Sequence, residues 1–147
     1  MFGRAPSVTR GLLSACFFVI LSSPAVAQQK VGVLASFTGD WSAYGQAYRR
    51  GIELADVGSK ATFIYEDDGF LPARSVSAFR KLLEVDKISG VLVGDTVTAQ
   101  AIAPIAAKQK IPLLAWASGS KFADNTYALR LWSSNEKDFS FIGGEIK

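Results

Sequence analysis

The feature that most constrains this fold is a regular alternation of short apolar segments with longer stretches of helical periodicity. Each apolar segment is rich in Val, Ile, Leu and Ala and ends at a turn, which is typical of a buried strand. The predicted strands span residues 30–36, 61–65, 88–93, 111–115 and 127–132. Continuously apolar strands that alternate with helices predict a mostly parallel sheet with helices on both faces, which is a doubly wound α/β fold.

Helices fill the intervals between these predicted strands. Ser42 is the predicted N-cap of the first helix, and Pro72 suits the first turn of the second. Residues 96–110 form the third helix, which Pro104 is predicted to interrupt. The acidic run 66–69 predicts a turn before Pro72. Spacings of three and four residues assign an apolar face of the first helix to Tyr44, Ala47, Tyr48, Gly51, Leu54 and Ala55.

Residues 1–27 have the layout of a secretory signal peptide. Two arginines precede an apolar run from Gly11 to Ser23, and small residues at Ala25 and Ala27 fit a cleavage site before Gln28. A membrane anchor is the alternative, but the run is shorter than the roughly 20 apolar residues that a spanning helix needs. The sequence therefore predicts an exported protein whose mature chain begins at Gln28.

Composition excludes several kinds of chemistry. The chain has no histidine and one cysteine, Cys16, which lies within the predicted signal peptide. The mature chain therefore has no disulfide and no histidine or thiol for catalysis. Its sequence also lacks the phosphate-loop, dinucleotide-binding and nucleophile-elbow motifs, and any basic patch with interleaved aromatic residues. We predict no catalytic residues, no metal, no cofactor and no nucleic-acid partner.

Three small, polar turns follow predicted strands, at residues 39–44, 94–98 and 117–120. In doubly wound sheets, ligands bind beyond the carboxyl ends of the strands, where helix N-termini offer free N–H groups. These turns are therefore the candidate ligand site. Asp67 and Asp68 are interpreted as turn caps rather than as a catalytic pair, because adjacent acids at a strand end commonly cap turns.

Taken in order, these segments resemble the branched-chain amino-acid-binding proteins of periplasmic ABC transporters, which have the type I solute-binding fold. The resemblance begins at residues 31–55, a strand followed by T-G, A-Y-G and R-R-G-I-E-L-A. It continues through residues 63–83, an acidic turn and a helix, and 90–120, which contain A-P-I-A and I-P-L-L. The resemblance implies a periplasmic protein that binds an amino acid or a similar small polar solute and delivers it to an ABC permease.

The resemblance also implies ligand contacts at two helices. Tyr44 matches an aromatic residue that packs on the ligand, although its spacing equally fits a core position. Thr96 matches a hydroxyl residue that meets the ligand carboxylate, although a threonine there also fits a simple N-cap. Trp41 is either a lid over the ligand or a surface residue. Asp95 lies beside Thr96, where its negative charge is unfavourable for an anionic ligand group.

The loop after the fourth predicted strand supplies the remaining contacts by the same resemblance. Ala117 matches a backbone contact to the ligand. Gly119 stands where many members carry threonine, so Ser118 or Ser120 would supply the missing hydroxyl. The alternative is an ordinary loop.

The expected organisation is a signal peptide at residues 1–27 and the N-terminal lobe of a binding protein at 28–147, truncated before a second lobe. The leading hypothesis is the substrate-binding component of an ABC transporter. A ligand-sensing ectodomain or regulator of the same fold and a truncated, non-functional paralogue are the alternatives. An exported enzyme is disfavoured by the missing catalytic residues.

Overall fold

The computed structural model describes residues 28–56, 60–124 and 126–133. The predicted signal peptide and Cys16 lie outside these residues. Strands and helices alternate along the described chain. They are β1 (Gln29–Ala35), α1 (Ser42–Ala55), β2 (Ala61–Asp67), α2 (Pro72–Lys81), β3 (Gly90–Val93), α3 (Thr96–Gln109), β4 (Leu113–Ala115) and β5 (Ala128–Arg130). A π-helical turn, Leu82–Asp86, extends α2, and a 3-10 turn, Lys121–Ala123, precedes β5.

The five strands form one parallel sheet in the order β2-β1-β3-β4-β5. The predicted α/β fold class with a parallel sheet is therefore confirmed. The chain passes from β1 to β2 on one side and then returns to place β3 on the other side of β1. The point between β1 and β3 is thus the topological switch of the sheet, where ligand crevices form in folds of this kind.

The two faces of the sheet differ in how completely they are covered. Val91, Leu113 and Ala128 are neighbours across three strands on the face that packs against α2 and α3, and none is more than 6% exposed. On the other face, Leu129 of β5 is 62% exposed, and Leu114 beside it is partly buried. The hydrophobic core therefore lies between the sheet and the α2–α3 layer, and α1 covers only part of the opposite face.

Three local predictions are wrong. Trp41 rather than Ser42 occupies the N-cap position of α1, and no side chain makes a capping hydrogen bond there. The Ser42 N–H donates to the Gly39 carbonyl instead. Pro104 does not interrupt α3. Because proline has no N–H, the Gln100 carbonyl lacks its usual helical donor. Pro104 and Gln100 are both exposed, so solvent can bond to that carbonyl. The acidic run is partly strand, because β2 continues in register with β1 as far as Asp67.

The buried side of α1 is also not the predicted one. Tyr44 is 63% exposed and Leu54 is 79% exposed, whereas Gly45 is the buried residue of the helix. A Cβ atom at Gly45 would lie 2.1 Å from the Ser36 carbonyl oxygen, so the absence of a side chain lets the helix backbone approach the end of β1. Gly45 and Ile52 lie three and four residues from Tyr48, which is the same helical spacing as in the predicted apolar face. Spacing alone therefore did not show which positions are buried.

Candidate functional site

A pocket of about 250 Å³ lies beyond the carboxyl ends of β1 and β3. The chain leaves β1 through Ser36 and enters α1 at Ser42, so Trp41 and Tyr44 stand over the strand end. Gly94 and Asp95 follow β3 and form the opposite wall. This is the switch point of the sheet, and two of the three predicted turns meet here as expected.

Aromatic rings form one wall of the pocket. The ring of Trp41 stacks on Phe70 with centroids 5.2 Å apart and planes 20° apart, and it contacts Tyr44 at 5.6 Å. Trp41 is 48% exposed, and the exposure of Tyr44 excludes the alternative that it is a core residue. A wall of accessible rings can pack on an apolar or aromatic solute.

Phe70 is a pocket residue that the sequence analysis missed. It follows Gly69 in the turn after β2, and both have positive φ angles, 61° for Phe70 and 55° for Gly69. Such a backbone is unfavourable for a bulky residue and persists only where the surroundings hold it. The Asp68 carboxylate holds it here by accepting the Phe70 N–H at 2.9 Å. The signal in the sequence was an aromatic residue directly after D-D-G.

Tyr48 forms the floor of the pocket and joins α1 to the turn after β3. Its hydroxyl donates to the Gly94 carbonyl at 2.8 Å. Burial raises the pKa of Tyr48 above its usual value, and the negative charge of Asp95 raises it further. The phenol therefore remains protonated as a hydrogen-bond donor at neutral pH.

Asp95 is the N-cap of α3. Its carboxylate accepts the Thr98 N–H at 2.7 Å. Burial raises the pKa of Asp95 above the ordinary aspartate value, and the hydrogen bond from Thr98 only partly offsets this. The nearby carboxylate of Asp68 raises the pKa further. The pocket therefore contains an acid whose charged form is destabilised by its surroundings.

Thr96 and Gly119 are brought together, as their assignment to one site requires. The N-cap alternative for Thr96 is wrong, because Asp95 is the cap and Thr96 is the first helical residue. The Gly119 N–H donates to Thr96 Oγ1 at 3.2 Å, which connects the turn after β3 to the loop after β4. A Cβ atom at Gly119 would lie 2.5 Å from Thr96 Cγ2, so a side chain there would require Thr96 to move.

The other loop residues lie close by along the chain. Ala117 is only 4% exposed, and Ser118 and Ser120 are partly buried. Ser120 also accepts a backbone bond from Ala123 at 2.8 Å, which closes the loop into the turn before β5. The loop is thus an ordered part of the same sheet edge.

Asp68 organises the base of the site without lining the pocket. It is fully buried, and its two oxygens accept hydrogen bonds from Ser36 Oγ at 3.0 Å and Thr98 Oγ1 at 2.8 Å. Ser75 Oγ lies 2.9 Å from the same Thr98 hydroxyl. With the bond from Phe70, these contacts join β1, α2, α3 and the turn after β2, which confirms Asp68 as a structural group.

A larger cavity of about 710 Å³ lies at the opposite edge of the sheet, between α2 and α3. Its walls include Ile88 and Ile111, which precede β3 and β4. It therefore lies at the amino ends of the strands, where folds of this kind do not place their ligands. Among the described residues, no cluster of three or more potential metal ligands is found.

The chain belongs to the periplasmic binding protein family, whose model matches residues 28–143. A comparison with curated proteins finds no match. Within residues 28–56, 60–124 and 126–133, no helix is long and apolar enough to span a membrane.

Several solved structures share the fold. An ABC transporter solute binding protein from Rhodopseudomonas palustris, in complex with 3,4-dihydroxybenzoic acid, is 26% identical with a TM-score of 0.67 over 72% of this chain and 32% of its own. A leucine binding protein from Thermotoga maritima is 19% identical with a TM-score of 0.72, over 78% of this chain and 35% of its own. A branched-chain amino acid transporter protein from R. palustris is 22% identical with a TM-score of 0.66, over 74% and 33%. The chain thus spans about a third of the length of these proteins.

Proposed function

We propose that this chain provides ligand-binding residues of the solute-binding component of an ABC transporter, with an amino acid or a similar small polar solute as its ligand. The observation that carries the proposal is the meeting of the turns after β1 and β3 in one pocket at the switch point of the sheet. The loop after β4 joins them through the bond between Gly119 and Thr96. Sites of this kind bind small molecules with apolar walls and a few well-placed polar groups.

The residues divide into two groups by chemistry. Trp41 and Tyr44 offer aromatic surface to the body of the solute. The Thr96 hydroxyl oxygen accepts the Gly119 N–H, so its hydrogen can be donated to a solute. Together with the backbone of residues 117–120, this hydroxyl would bind a polar head group.

Membership in the family supports a periplasmic location and a permease as the membrane partner. The family match begins at Gln28, the predicted first residue of the mature chain. Binding proteins of this class work by hinge closure of two lobes around the solute, which removes water from the hydrogen bonds. The solved structure at 26% identity holds a small aromatic acid, which supports a small solute rather than a macromolecule.

A ligand-sensing protein of the same fold would use the same pocket. Two of the similar structures described above are named as ABC transporter proteins, which favours transport over sensing. The same family membership disfavours an enzyme.

Tryptophan fluorescence tests the proposed pocket directly, because Trp41 lines it, whereas Trp116 and Trp132, whose ring centroids are 4.9 Å apart, are not among its lining residues. The chain is titrated with millimolar leucine, phenylalanine and 4-hydroxybenzoate. We expect at least one solute to change the emission saturably. The change should be lost in Trp41→Phe and retained in the matched control Trp116→Phe. A response that survives Trp41→Phe, or no response to any of the three, contradicts the proposal.

A further inference from the structure

Asp95 is the one charged group among the described residues that line the pocket. The rest of its lining is small or aromatic, with the rings of Trp41, Tyr44, Tyr48 and Phe70. No arginine or lysine is present there to receive a solute carboxylate. The pocket is therefore an aromatic enclosure with a single negative charge.

Capping alone does not explain a charged residue at this position. The bond from the Thr98 N–H needs only an acceptor oxygen, which asparagine, serine or threonine supplies about as well. An ionised group in a partly buried position loses hydration, and Asp68 adds a second acid nearby. A neutral cap would avoid both costs.

Asp95 also has no cationic partner among the residues that the structure describes. The ion pairs formed there join Arg49 to Glu53, Arg74 to Asp67 and Lys81 to Glu66. Within the described part of the chain, Asp95 thus receives hydrogen bonds at the start of α3 but no opposite charge.

A cationic group of the solute would supply the missing charge. Aromatic rings around a carboxylate are suited to an ammonium group, because the ring faces attract cations through their quadrupoles. The carboxylate adds a charge-assisted hydrogen bond to the N–H groups of the ammonium. A carboxylate of the solute would instead meet like charge at this point.

We propose that Asp95, which lines the same pocket as Trp41, Tyr44 and Phe70, binds the ammonium group of the transported solute. This inference rests on the proposed function and narrows its substrate class to amines and amino acids, as opposed to aromatic acids. The carboxylate of an amino acid then lies on the Thr96 side of the pocket, where Gly119 meets the start of α3.

Three related probes separate the two ends of the solute: phenylalanine, 2-phenylethylamine and 3-phenylpropionate. They share an aromatic body, while the second lacks the carboxylate and the third lacks the ammonium. We expect the two ammonium compounds to bind at least about tenfold more tightly than 3-phenylpropionate. Binding is followed by calorimetry and by the NMR shifts of the Trp41 indole.

The test variant is Asp95→Asn, which keeps an N-cap and removes the charge. It should weaken binding of 2-phenylethylamine at least about tenfold. The matched control is Asp40→Asn, which removes an equal charge from the exposed loop before Trp41 without touching the pocket lining. This control should change binding less than about twofold, because exposed charges are well screened.

Failure of the ammonium site and failure of the solute pocket would give different results. If 3-phenylpropionate binds at the Trp41 pocket as well as the amine does, or if Asp95→Asn leaves amine binding unchanged, the ammonium site is wrong while the proposed function stands. If no probe shifts the Trp41 signal, the solute pocket fails, and the inference fails with it.

Discussion

Two acidic turns lie at the carboxyl edge of the sheet and differ in how their charges are used. At the end of β2, Asp67 and Asp68 accept hydrogen bonds from main-chain and side-chain donors in several parts of the chain. After β3, Asp95 accepts hydrogen bonds, among the described residues, only from Thr98 and Val97 of its own helix start, and it lines the pocket. The first turn is structural because its acceptors are satisfied within the protein. The second has the character of a recognition group.

The pKa values of Asp67 and Asp95 move in opposite directions. Partial burial alone would raise the pKa of Asp67, but hydrogen bonds from the Thr38 hydroxyl and from the Phe37 and Gly69 N–H groups outweigh it and lower the pKa. For Asp95, burial dominates and raises the pKa. Donors within the chain thus outweigh burial at Asp67, whereas the hydrogen bonds that Asp95 receives from Thr98 and Val97 do not outweigh burial there. Substitutions at Asp68, Asp67 and Asp95 test this contrast.

The largest effect is expected for Asp68→Ala. It leaves the donors of Ser36, Phe70 and Thr98 without their acceptor in a buried site. We expect the free energy of unfolding to fall by at least about 3 kcal/mol, measured by urea denaturation. Asp95→Ala is the comparison and should cost only about 1 kcal/mol for the lost cap. Equal losses at the two positions would remove the distinction between the turns.

An intermediate effect is expected for Asp67→Asn, which keeps one acceptor oxygen and loses the charge. The free energy of unfolding should fall by about 1–2 kcal/mol at neutral pH. Because the folded pKa is lowered, the unfolded chain binds more protons in this range. The stability that the charge provides is therefore complete above the ordinary aspartate pKa of about 4 and is lost as the pH falls through the lower folded pKa.

Unfolding curves of the parent and Asp67→Asn, recorded from neutral to strongly acidic pH, check this dependence. The two free energies of unfolding should converge as the pH falls. A difference that stays constant with pH would show that the Asp67 charge does not contribute as described.

The smallest effect on stability is expected for Asp95→Asn. Its raised folded pKa means that the parent loses stability as the pH rises from the ordinary aspartate pKa through the raised value. The variant keeps the cap and avoids this loss, so at neutral pH it should match the parent or exceed it by up to about 1 kcal/mol. Thermal unfolding across this pH range measures the effect. A variant clearly less stable than the parent at neutral pH would make Asp95 a structural group like Asp68.

The fold was accessible from the sequence because it depends on repeated local patterns. Strand and helix periodicity recurs along the chain, so an error at one boundary, such as Pro104, leaves the architecture unchanged. The turns after β1, β3 and β4 could be placed on one edge because parallel strands share their direction.

The interior of the site was harder to predict from the sequence than the fold. Trp41 and Tyr44 were predicted from the sequence but Phe70 was not, because its place in the pocket depends on a left-handed turn held by Asp68. Thr96 was a candidate for the N-cap, since either Asp95 or Thr96 satisfies the local rule. Only the three-dimensional contact with Gly119 shows that Thr96 bonds across to the next loop.

An NMR titration of the aspartate carboxyl carbons, with and without 2-phenylethylamine, tests most directly whether the turn after β3 recognises the solute. Without solute, the pKa of Asp95 should lie above the ordinary aspartate value and that of Asp67 below it. Bound ammonium should lower the pKa of Asp95 and leave that of Asp67 unchanged. A saturating solute that leaves the pKa of Asp95 unchanged, or shifts that of Asp67 instead, would contradict this account.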